Sequence, residues 1–132
     1  MQQVVAIGKQ MAEALARLHD EAHVAHFDIR PDNILMDKNG NSVLADFGIA
    51  HHFKDGEKRM SLPHDAYGSE QHMSPEQVRD SGLGITYAAD VWGLACTILH
   101  MATGCAPYQE LETTMKVRIH HIVDPVSLHL QQ

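Results

Sequence analysis

Residues 87–103 limit the fold more than any other stretch. Ala88, Ala89, Val91, Trp92, Leu94, Ala95, Ile98, Leu99, Met101 and Ala102 cover most of a helix's circumference. A helix apolar nearly all round needs neighbours on every side, so this one is predicted to be central and buried. Gly104 suits the left-handed residue just past a helix end, and Pro107 prevents continuation. One residue runs against its surroundings. Asp90 puts a carboxylate inside this helix, and a carboxylate there needs hydrogen-bond donors waiting for it. The remainder of the chain has to supply both the cover and the donors.

A chain of 132 residues is long enough for one domain with a moderate core. Val4, Ile7, Met11, Leu15 and Leu18 recur every three or four residues. That period predicts an amphipathic helix over 4–19. A β-hairpin is predicted over 33–46. Its strands are Ile34-Leu35-Met36 and Val43-Leu44-Ala45, joined by a turn carrying Asn39-Gly40, both tolerant of positive φ. Asp37, Asn39 and Asn41 are spaced like calcium-loop ligands. The glycine is misplaced, however, and Gly48 stands where a bidentate glutamate is needed, which argues against calcium. Residues 49–73 are polar without a clear period and read as a long surface loop. Ser74-Pro75 looks like a helix start. A weaker helix is expected over 110–122 and a tail over 126–132. The expected class is mainly α with a small β-hairpin.

The net charge of −7 argues against a nucleic-acid surface or an anionic membrane as main partner. No apolar run is long enough to span a bilayer, and the N-terminus lacks the pattern of a signal peptide. Cys96 and Cys105 do not make a disulfide framework. A cytoplasmic protein with two reduced thiols is expected. Eleven histidines are many. None has zinc-finger spacing and there is no H-E-x-x-H, so their expected effect is a net charge that changes between about pH 5 and 7.

The chemistry concentrates in His26-Phe27-Asp28-Ile29-Arg30-Pro31-Asp32-Asn33, which holds an acid, a cation and an amide within a few residues. Pro31 marks it as a loop, and the apolar runs on both sides place that loop between packed elements. By residue type alone, Asp28 and Asn33 could equally cap turns.

The stretch resembles the catalytic loop of eukaryotic-type protein kinases, H-R-D-L-x-x-x-x-N. Other motifs follow in that family's order. Asp46-Phe47-Gly48 resembles D-F-G, Gly68-Ser69 precedes Met73-Ser74-Pro75-Glu76, which resembles A-P-E, and Asp90-Val91-Trp92-Gly93 resembles the start of the buried central helix. The resemblance implies a partial, protein-kinase-like C-lobe over residues 1–132. It implies transfer of the ATP γ-phosphate to serine or threonine of a protein substrate, with Mg²⁺ as the metal. Asp28 would orient the substrate hydroxyl and accept its proton, and Arg30 would stand near the transferring phosphate. Asn33 and Asp46 would hold Mg²⁺, and Leu35 would lie beneath the adenine ring. Ser69 would contact the catalytic aspartate from the activation loop. His26, Phe47, Glu76 and Asp90 would be structural, with Glu76 paired to an arginine far downstream and Asp90 holding the catalytic-loop backbone.

The chain departs from that pattern in two ways. Phe27 stands where the family usually has an arginine that reads an activation-loop phosphate, so phosphorylation of Ser61 is not expected to switch the protein by that route. The 132 residues also contain no glycine-rich phosphate loop with its strand lysine. The expectation is therefore a C-lobe fragment without its N-lobe, with weak or absent activity of its own. The alternative function is a non-catalytic, pseudokinase-like module that docks proteins through the long loop and the C-terminal helix.

Overall fold

The computed structural model describes residues 1–61, 70–78 and 84–109. Chain order begins with helix α1 (Gln2–Asp20) and strand β1 (Val24–Ala25). A single 3₁₀ turn (Pro31–Asn33) leads to β2 (Ile34–Met36), β3 (Ser42–Leu44) and β4 (His51–His52). Helices α2 (Pro75–Val78) and α3 (Ala88–Thr103) follow. The segments expected at 110–122 and 126–132 lie outside the described residues. No helix among the described residues is long and apolar enough to cross a membrane.

The periodic stripe of α1 faces inward, with Met11 and Leu15 buried. It lies against α3 so closely that a Cβ added at Gly8 would stand 3.1 Å from Ile98 Cδ1. β2 and β3 form the antiparallel hairpin, pairing Ile34 with Leu44, Leu35 with Val43 and Met36 with Ser42. Its turn is closed by Asp37, whose carboxylate accepts from the backbone N–H of Asn39 and of Asn41. Helix α2 begins with half of a reciprocal cap. Gln77, three residues on, accepts the Ser74 backbone N–H at 2.9 Å. Helix α3 ends at Gly104, left-handed at φ 74°, whose N–H returns to His100 O.

Two expectations need correction. The stretch 49–73 is not simply a surface loop in its described part. β4 pairs with β1, Ala25 opposite His51 and Val24 opposite His52, and Phe53 is buried. Met60 and Ile85 also exchange a pair of backbone hydrogen bonds. The polar composition hid one buried aromatic that decides where this segment lies. Nor is α3 covered on all sides by the described residues. Ala89, Asp90, Gly93, Leu94 and Thr97 are buried, but Val91 is 61% exposed and Leu99 53%.

There are two apolar clusters. Ala25, Phe27, Phe53, Ile85 and Ala89 form one, and Met11, Leu15, Ile29 and Leu94 form the other. Phe27 and Ile29 enter one each. The loop is thereby pinned on both sides of Asp28.

Candidate functional site

Between Phe27 and Ile29, Asp28 is only half-buried, and side chains from two helices, α2 and α3, hold the backbone around it. Asp90 of α3 is 1% exposed. Its Oδ2 accepts the His26 N–H at 2.8 Å and its Oδ1 the Phe27 N–H at 2.7 Å. His19 at the end of α1 completes the carboxylate's shell, with Nε2 2.7 Å from Oδ2. Gln77 of α2 donates Nε2–H to Phe27 O at 3.1 Å. Thr97 of α3 donates its hydroxyl to Ile29 O at 3.3 Å. A buried loop must satisfy its backbone groups, and here side chains do so. The arrangement also holds Phe27 at φ 66°, a conformation that a bulky residue adopts only when its surroundings impose it.

His26 links this loop to Asp46. The Asp28 N–H donates to His26 Nδ1 at 3.1 Å, and Nε2 lies 2.8 Å from Ala45 O. Those partners assign the neutral tautomer with its proton on Nε2. The Ala45 N–H donates to Asn33 O at 2.8 Å. Ala45 is therefore tied to both ends of the loop, and Asp46 is the next residue. Asp46 has φ 56° and accepts the Gly48 N–H on Oδ1 at 3.2 Å. Phe47 lies edge-on to His26, with ring centroids 4.8 Å apart, and is half exposed.

Asn33 is buried and donates both to Asp28 O at 2.8 Å and to Asp28 Oδ2 at 3.0 Å. With its amide hydrogens so used, Oδ1 is its remaining acceptor. Arg30 Nε stands 3.8 Å from Asp28 Oδ1 and 4.0 Å from Asp32 Oδ2. It is buried with no hydrogen-bond partner among the described residues. Leu35 is exposed on the hairpin. Ser69 lies outside the described residues. Glu76 has no ion-pair partner among them.

His72 lines a crevice together with Asp28, Ile29, Gln77 and Gly93. Burial, with repulsion from His100 and Arg30, pushes its imidazole down to about 4. His19, His72, Gln77 and Thr97 were not singled out from the sequence. Only Gln77 carried a local signal, the S-x-x-Q spacing from Ser74. The other three act across 28 to 71 positions of chain.

Chemically, the site gathers a half-buried carboxylate (Asp28), an amide acceptor (Asn33), a second carboxylate (Asp46) and an orphaned guanidinium donor (Arg30). Hard oxygens with a nearby cation suit a divalent metal and phosphate groups.

Comparison with known proteins gives the family. The protein kinase domain family matches residues 1–131. The chain is 41% identical over 103 residues to serine/threonine-protein kinase CHK1 of Saccharomyces cerevisiae, covering 76% of the chain and 19% of that protein. It is 43% identical over 110 residues to mitogen-activated protein kinase kinase kinase 1b of Physcomitrium patens, covering 83% and 14%. It is 36% identical over 121 residues to serine/threonine-protein kinase PknD of Mycobacterium tuberculosis, covering 92% and 17%. The chain thus spans less than a fifth of the length of each of these relatives. With its motifs in order and its relatives named as such, the chain belongs to the protein kinase family, on the serine/threonine side.

Proposed function

We propose that these 132 residues are the C-lobe part of a serine/threonine protein kinase domain and carry its catalytic loop. The observation that carries this reading is the double tie at Ala45, to Asn33 O and to His26 Nε2. It keeps the loop from Asp28 to Asn33 beside Asp46 by contacts of the chain itself. Asp28, its backbone fixed on both sides, orients a protein serine or threonine hydroxyl and takes its proton. Asn33 Oδ1 and the exposed Asp46 carboxylate are the oxygens that would hold Mg²⁺. The orphaned Arg30 Nε is a donor suited to phosphate oxygen. Mg-ATP supplies the phosphoryl group and neutralises charge on it. Leu35 offers an exposed apolar side chain beneath the base.

The same residues set an energetic limit. Phosphoryl transfer also needs cations on the α- and β-phosphates and a roof over the nucleotide. The 132 residues contain no glycine-rich phosphate loop. This stretch by itself is therefore expected to hold Mg-ATP weakly and to transfer phosphate slowly or not at all. The test is calorimetric titration of the chain with ATP in Mg²⁺, with phosphoryl transfer to a basic protein followed by mass spectrometry. Weak, Mg²⁺-dependent binding that Asp46→Asn abolishes supports the reading. Binding unchanged by Asp46→Asn, or transfer retained by Asp28→Asn, overturns the residue roles.

A further inference from the structure

We propose that residues 110–122 fold back along α3 as an amphipathic helix and cover the apolar face that the described elements leave open. This inference does not depend on the phosphoryl-transfer reading. Between its two end residues, α3 exposes Val91, Ala95, Ile98, Leu99 and Ala102. They recur every three or four residues and so make one stripe, apolar throughout. The chain itself brings the next segment to that stripe. Gly104, at φ 74°, ends α3, and Tyr108, at φ 60°, turns the chain again. Pro107 is buried between them. Gln109 closes the turn, its side-chain oxygen accepting the Ala106 N–H at 3.0 Å and its own N–H donating to Ala106 O at 3.1 Å. Tyr108 lies near enough to Cys96 for that thiol, together with burial, to push its phenol upward. Cys96 is two turns back from the end of α3 and adjoins Ala95. By Gln109 the chain has therefore turned back toward the open face. Residues 104–109 make the connection, a length usual between antiparallel neighbouring helices.

The sequence of the segment fits the face. Leu111, Met115, Ile119 and Ile122 recur at steps of four, four and three. Read backwards along α3, Ala102, Leu99, Ala95 and Val91 recur at three, four and four. Two antiparallel helices so spaced set Leu111 by Ala102, Met115 by Leu99, Ile119 by Ala95 and Ile122 by Val91, with the small residues giving room for the large. A helix over 110–122 is about 20 Å long, and the stripe from Val91 to Ala102 is about 17 Å. Glu112, Thr113, Lys116 and His120 then face water. Arg118 falls at the margin, where its stem can lie along apolar surface while the guanidinium stays wet. A second copy of the chain would have to give up free translation and rotation to reach the same face. A segment tethered a few residues from α3 is already held there at high effective concentration. Asp90 and Thr97, on the buried side of this helix, hold the loop around Asp28. Covering the open side steadies the helix that positions the candidate site.

The test links the two helices in the full chain. In a Cys96→Ser/Cys105→Ser background, Ala95→Cys/Ile119→Cys is oxidised and its peptides are identified by mass spectrometry. Val91→Cys/Leu111→Cys, at opposite ends of the pairing, is the control. A disulfide within one chain is expected for the first pair and none for the second, since cysteines with Cα atoms more than about 7 Å apart are not bridged. Linkage in both pairs alike, in neither, or only between chains overturns the proposal, and the last result assigns the face to a second copy. The unaltered chain gives a second readout that no folding defect can confuse. With methyl groups labelled, a nuclear Overhauser contact is expected between Leu99 and Met115, and it should persist when labelled chain is diluted with unlabelled. Absence of that contact, or its loss on dilution, overturns the assignment.

Discussion

Removing the Asp90 carboxylate should unfasten the loop from the core. In the intact protein this group, 1% exposed, accepts from two backbone N–H groups at 2.7 and 2.8 Å and lies 2.7 Å from His19 Nε2. A hydrogen bond to a charged acceptor contributes about 1.5–3 kcal/mol, and a buried donor left unpaired costs about 1–3 kcal/mol. Asp90→Ala strands three such partners. Even at the low end, the loss is about 4 kcal/mol, a large share of the roughly 5–15 kcal/mol that hold a domain together. Asp90→Asn has the same shape but separates the contributions. Its single oxygen can keep the Phe27 N–H, while its NH₂ meets the His26 N–H donor to donor. His19 can adapt by presenting an unprotonated Nε2. Asn should therefore lose about 2–3 kcal/mol, less than Ala. Urea unfolding followed by circular dichroism measures both. Equal losses for Asn and Ala would mean that charge, not the geometry of acceptance, is what matters. A loss below about 1 kcal/mol for Ala would refute the view that this carboxylate holds the loop.

Other outcomes follow from individual contacts. In Gly93→Ala the new Cβ would stand 3.1 Å from Ile29 Cβ and 3.2 Å from Ile29 O. Overpacking of this kind costs about 1–3 kcal/mol, and because Ile29 adjoins Asp28, any Mg-ATP-dependent activity should fall with it. Thermal denaturation and activity assays check the pair of effects. His72 gives stability a pH dependence of known sign. Its folded pKa of about 4 lies below the ordinary 6.5, so the unfolded chain takes up a proton first as pH falls. Stability should drop between about pH 6.5 and 4, by on the order of 2 kcal/mol. His72→Gln should flatten that part of the profile in urea titrations at a series of pH values. Ser61→Glu should leave activity unchanged, because Phe27 offers no cation to a charge on that loop. A large gain in phosphoryl transfer by this variant would sink the argument.

The elements that repeat a period were legible in the sequence. Helix α1 was expected over 4–19 and spans Gln2–Asp20; the hairpin and α3 also lie close to their expected bounds. What could not be read was pairing across the chain. β1 and β4 are two residues each, too short to carry a pattern, and neither shows why it exists until Phe53 is seen buried against Phe27 and Tyr87. The apolar circumference of α3 says that the helix wants cover everywhere. It does not say which face the described elements fill, and Val91 and Leu99 are on the face they leave open.

Asp28 was picked out by its neighbours in sequence, but what restrains it comes from neighbours in space. In a plain extended segment Phe27 and Ile29 would share a face; the left-handed turn at Phe27, φ 66°, breaks that alternation, and the two residues enter separate clusters with the half-buried Asp28 between them. Phe27 was first a departure from a motif, a lost arginine. Here it sits 3% exposed at φ 66°, in an aromatic group with Phe53, Tyr87 and His51. The position that could have met a phosphate by charge instead meets β4's neighbour by apolar contact. Such contact is present whether or not the loop is modified. In the described part of the segment after Asp46, residues 47–61, it is this contact of Phe53 with Phe27, beside the pairing of β4 with β1, that ties the chain to the core.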